Sequence, residues 1–166
     1  MFELKPISME AVDTARKKAV RYRLLNEPRL AESICRDVLS LLPGDQDATI
    51  TLILSLSDQF GSRGTGSFGE AMQLAKDLMP EFERAYYQGV VCERRGIAQL
   101  RMSGAVSGQL AYDWFRQAMD HFIVAEEASP PGNDDAVLRW NTCARIINTR
   151  DDVRPAPDSG PELMLE

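Results

Sequence analysis

Apolar residues recur along this chain at steps of three and four, the spacing of one face of an α-helix. From Ser8, a good N-cap, a first stripe runs through Val12, Ala15, Ala19, Tyr22 and Leu25 until Asn26 and Glu27 interrupt it. Pro28 then stands where a helix accepts proline, in its first turn. A second stripe follows in Leu30, Ala31, Ile34, Cys35, Val38, Leu41 and Leu42, and Pro43-Gly44 stops it.

The segment 48–60 obeys two periods at once. Ile50, Leu52, Leu54 and Leu56 alternate with polar residues as in a strand, while Ile50, Ile53, Leu54 and Ser57 fit a helix. The segment is long for a strand and its neighbours are helical, so a helix capped within 45–47 is predicted. A glycine-rich loop spans 61–69. A short helix over 70–79 ends at Pro80, and a long helix runs from Glu81 to about Met102. After a second loop over 103–108, an aromatic-rich helix covers 110–128 and stops at Ser129-Pro130-Pro131-Gly132. Asn133 or Asp134 caps a last helix reaching Thr149. The pattern predicts an all-α chain of about seven helices in one domain over 1–150. The remainder, 151–166, carries Pro155, Pro157 and Pro161 among Asp and Ser and is predicted to be a disordered tail.

The helices form pairs punctuated by prolines. Pro43 and Pro80 lie 37 residues apart, and Pro80 and Pro130 lie 50 apart. Ala118, Phe122, Ala125 and Pro130 follow the frame Ala-x3-Phe-x2-Ala-x4-Pro, and Ala31, Cys35, Val38 and Pro43 follow it with two conservative departures. Met72, Ala75 and Pro80 match it less well, while Ala19, Tyr22, Tyr86, Gly89, Trp140 and Ala144 supply small and aromatic positions of accompanying helices. In these residues, over about 8–149, the chain resembles the tetratricopeptide repeat (TPR) family, whose unit is about 34 residues. The resemblance implies antiparallel helix pairs stacked as a short right-handed solenoid. It also implies that the first helix of each pair lines a concave groove for a partner peptide. An unrelated helical bundle is the alternative fold.

In that frame the groove residues are Arg16, Val20 and Arg23, then Ile50 and Leu54, then Tyr87, Val91 and Arg94. Such a groove has an apolar middle and cationic ends, which suits a peptide with carboxylates beside apolar anchors. The competing reading of these residues is ordinary solvated helix surface.

Composition narrows the classes. The 166 residues are 44% hydrophobic and 27% charged, enough apolar matter for a core without disulfides or metal. A net charge of −6 disfavours nucleic acid as a partner. Cys35, Cys92 and Cys143 are widely spaced and His121 is the one histidine, so neither a zinc site nor any other cofactor is expected. The opening Met-Phe-Glu-Leu-Lys-Pro is not a signal peptide, and no apolar run approaches the roughly 20 residues of a membrane span. A cytoplasmic protein is expected.

Gly64-Thr65-Gly66-Ser67-Phe68-Gly69 matches G-x-G-x-x-G, whose backbone amides cradle phosphates in some folds. That chemistry needs a preceding strand and a parallel sheet, or a following strand as in kinases, and the pattern supplies neither. Asp120-His121 and Glu126-Glu127 read as helix surface, and no catalytic constellation emerges. The expectation is therefore a non-enzymatic interaction module: adaptor, scaffold or small chaperone. A self-associating helical protein, such as a homodimer, is the alternative, followed by a nucleotide binder at the loop between Gly61 and Gly69.

Overall fold

The computed structural model describes residues 2–61, 67–102, 104 and 106–157. Among them are seven α-helices and no strand: α1 (Val12–Leu24), α2 (Pro28–Leu41), α3 (Gln46–Asp58), α4 (Phe68–Lys76), α5 (Glu81–Leu100), α6 (Ser107–Glu127) and α7 (Asp135–Thr149). A 3₁₀ turn, Met9–Ala11, leads into α1.

Local chemistry explains the boundaries. Asn26 ends α1 with φ +62°, a left-handed conformation that asparagine tolerates well. Its N–H donates to the Arg23 carbonyl and that of Glu27 to the Tyr22 carbonyl, a pairing that satisfies carbonyls left over at the helix end. Pro28 then opens α2. Asp45 caps α3 by accepting the Ala48 N–H at 2.8 Å. Ser67 caps α4 through the Glu70 N–H at 3.1 Å. This cap makes Phe68 and Gly69 helical, so α4 starts earlier than the pattern of 70–79 suggests, and it ends earlier, at Lys76. Likewise α6 begins at Ser107 and takes Gly108 from the expected loop.

Consecutive helices pack in order, and each odd-numbered helix also touches the next odd one, α1 on α3, α3 on α5 and α5 on α7. The central helix α3 therefore meets neighbours on several sides and buries Ala48, Leu52, Ile53, Leu56, Ser55 and Ser57. Its two serines donate to carbonyls four residues back, Ser55 to Thr51 at 2.7 Å and Ser57 to Ile53 at 2.6 Å. A helix surrounded in this way needs no single apolar stripe, which is why 48–60 shows two periods.

The core continues from end to end. Val12, Val38 and Ala48 anchor the N-terminal end. Ala19, Cys35, Leu52, Ile53 and Val91 fill the middle. Phe115, Phe122, Ala118, Ala125 and Cys143 fill the space among α5, α6 and α7. The residues that carry the repeat pattern in α2 and α6 thus lie fully inside. Packing also runs past the expected domain boundary at 150. Val153 is 1% exposed within the C-terminal core, and the Asp152 carbonyl lies where a Cβ on Gly108 would stand. The tail expectation is corrected for this stretch, because a glycine at the start of α6 leaves room for the returning chain; residues 158–166 lie outside the described ones.

Candidate binding cleft

Helices α1, α3 and α5 lie side by side and run in one direction, because their contacts advance together along the sequence. Arg16 of α1 meets Asp45 at the start of α3, and Arg23 meets Asp58 at its end. Ile50 lies near Tyr87 of α5, and the Leu54 carbonyl accepts from Arg94 two turns later at 3.1 Å. Between the three helices opens a cleft of about 720 Å³ lined by Arg16, Lys17 and Val20, by Ile50 and Thr51, and by Tyr87. Asp13 and Asp47 complete its lining. Val20 is 43% exposed, so the cleft holds an apolar side chain open to solvent.

Four of the eight residues read as a groove, Arg16, Val20, Ile50 and Tyr87, line this cleft. Leu54 is half-buried and packs against the C-terminal core. Val91 is fully buried in the middle core, and its assignment to the groove is corrected. At 3.6 residues per turn, a step of four turns Val91 about 40° off the line of Tyr87, toward the core side of α5.

The arginines read as the groove's cationic ends are ion-paired. Arg16 pairs with Asp45, whose side chain is only 4% exposed, and reaches Asp13 at 3.2 Å. Arg23 and Arg94 both pair with Asp58. Burial holds the Arg94 guanidinium below its ordinary value, while Asp58 pulls the other way. These pairs tie α1 to α3 and α3 to α5. Asp58 was absent from the sequence reading, although it continues the stripe of Ile50 and Leu54 by one more turn.

The next junction, between α5 and α7, is held by Glu93 and Arg139, also unread in the sequence. Arg139 Nη1 donates to Glu93 at 2.7 Å, and its Nε to the Tyr86 hydroxyl at 3.3 Å. Burial raises the Glu93 carboxyl above its ordinary value, partly offset by Arg139. Tyr86 stacks on Phe82 at 5.4 Å and meets Tyr87 edge-on at 5.2 Å. An aromatic cluster thereby supports one wall of the cleft.

The other candidate chemistries find these surroundings. Residues 62–66 of the glycine motif lie outside the described residues, but its flanks are helices, α3 before and α4 after, where a dinucleotide site needs a strand first. Phe68 is turned inward, 4.8 Å from Trp114 and 6.0 Å from Phe60. Cys35, Cys92 and Cys143 are buried on three different helices, and burial pushes each thiol up to about 12. Burial lowers His121, with Asp120 opposing it. Among the described residues, no group of three or more His, Cys, Asp or Glu side chains converges as a metal site. Among the described residues, no helix is long and apolar enough to cross a membrane. Compared with family models, with curated proteins and with solved structures, the chain matches none.

Proposed function

We propose that this chain is a protein-interaction module of TPR-like helix pairs that holds a partner segment in the cleft of α1, α3 and α5. The observation that carries the reading is the cleft itself: solvent-open Val20 faces Ile50 and Tyr87 across about 720 Å³. Concave, partly apolar sites with a few convergent polar groups are where ligands bind. Contacts between successive odd helices support the repeat reading, since stacked pairs meet their neighbours in that way. An adaptor, a scaffold or a small chaperone all use such a cleft. The test is selection of random twelve-residue peptides, displayed on phage, by the purified full chain. Enrichment of binders that Val20→Glu no longer retains supports the reading; no enrichment, or equal retention by Val20→Glu, counts against it.

A second reading, self-association, draws on a different surface. Leu24, Leu25 and Leu30 are 75%, 60% and 49% exposed around the turn from α1 to α2. Exposed leucines near one turn suit a second copy of the chain. Light scattering across a concentration series, with Leu24→Glu as control, separates a dimer from a monomer.

A further inference from the structure

Asp58 is shared by two arginines. Arg23 Nε, from α1, lies 2.8 Å from its Oδ2, and Arg94, from α5, holds its Oδ1 through Nη1. Two guanidiniums facing one carboxylate leave one positive charge in excess. That charge is sheltered, because the Arg23 and Arg94 side chains are only 20% and 17% exposed. Like charges repel more strongly where water is partly excluded. The Arg23 Nε is also buried without an aligned hydrogen-bond acceptor. The other carboxylate acting on Arg94, Glu93, is committed to Arg139.

We propose that the Arg23–Asp58–Arg94 cluster is an anion subsite at the end of the cleft, and that it takes the side-chain carboxylate of an Asp or Glu in the partner segment. This rests on the cleft reading above. One carboxylate balances the one excess charge and completes an alternating square of two guanidiniums and two carboxylates. A phosphate dianion overshoots that balance. Position fixes the spacing as well. Arg94 lies seven residues after Tyr87, or about 10 Å along α5 at 1.5 Å per residue. An extended peptide covers that span in about three residues. The partner segment therefore places an apolar side chain between Val20 and Tyr87 and an acidic one about three residues away.

The test uses the enriched displayed peptides, synthesised and titrated calorimetrically against the full-length chain. Peptides with the apolar–acidic spacing should dominate, and changing their acid to the amide should weaken binding about tenfold or more. Arg23→Gln should weaken the acidic peptide and leave its amide version nearly unchanged. Asp58→Asn should tighten the acidic peptide, since it leaves two arginines without a carboxylate; a merely structural role for the cluster makes both variants weaker. Enriched peptides without an acid, or an acid whose amide binds equally well, overturn the subsite and leave the cleft reading standing. Absence of any enriched peptide overturns both. The acid-to-amide comparison needs no protein variant, so it decides the matter even where Asp58→Asn fails to fold.

Discussion

Gly89 on α5 lies directly beneath the ring of Phe122 on α6, so that a Cβ built on the glycine would stand 2.5 Å from the ring. Seven residues on, Gly96 takes the same position beneath Phe115, at 2.9 Å. The two helices run antiparallel, and each fully buried ring uses the missing side chain opposite it. Close approach of this kind brings aromatic faces into dense contact with backbone. Gly89→Ala should therefore destabilise the chain by roughly 1–3 kcal/mol, as overpacking does. Gly44 offers the control: nothing lies within 4 Å of its would-be Cβ, and Gly44→Ala should change little. Urea unfolding of both variants measures the difference.

The Glu93–Arg139 pair yields a prediction about charge. Glu93 is 2% exposed, while the Arg139 side chain is 34% exposed. Arg139→Met leaves the carboxylate buried without its partner and should cost on the order of 3 kcal/mol. Adding Glu93→Gln should recover part of that loss, and a double-mutant cycle in urea reads the coupling.

A pH dependence follows from the same residue. Burial raises the Glu93 carboxyl above its ordinary value of 4.5, so the folded chain holds that proton more tightly than the unfolded one. The stabilisation is complete below the unfolded value and fades as pH rises through the folded one. The stability of the native chain relative to Glu93→Gln should therefore fall as pH rises from 4.5 upward. Urea unfolding at several pH values tests this; a relative stability that grows over that window contradicts it.

Much of the architecture was legible because amphipathic helices announce themselves. The α2 and α6 stripes of Ala31, Cys35 and Val38, and of Ala118, Phe122 and Ala125, lie wholly in the core. The site was less legible, since a stripe identifies a helix face without naming what another helix sets against it. Arg16, Arg23 and Arg94 read as the cationic ends of a groove, and the sequence did not show that α3 sets Asp45 and Asp58 against them. Those carboxylates are distant in sequence from all three arginines they hold, and only packing brings them together. Val91 illustrates the limit of angular reasoning, because a departure of about 40° on a helix is enough to exchange a groove for a core.

The chain beyond α7 gives a prediction at the other end. Val153 is buried, and the neighbouring Asp152 carbonyl would clash with a Cβ on Gly108. Gly108→Ala should push the returning segment away, and limited proteolysis after residue 150 should become faster than in the native chain. Unchanged cleavage would show that the contact does not hold the segment.

The three cysteines should be nearly inert in the folded chain. Each is buried, with its thiol pushed up to about 12, and the thiolate is the reactive form. Alkylation at pH 8, followed by mass spectrometry, should label none of them quickly in native buffer and all three in denaturant.

Binding in the cleft is tested most directly by nuclear magnetic resonance of the full chain titrated with an enriched peptide. Shifts concentrated at Val20, Ile50, Thr51 and Tyr87 are the expected result. Shifts that spare these four residues and gather instead around Leu24, Leu25 and Leu30, or on α6 and α7, would contradict it.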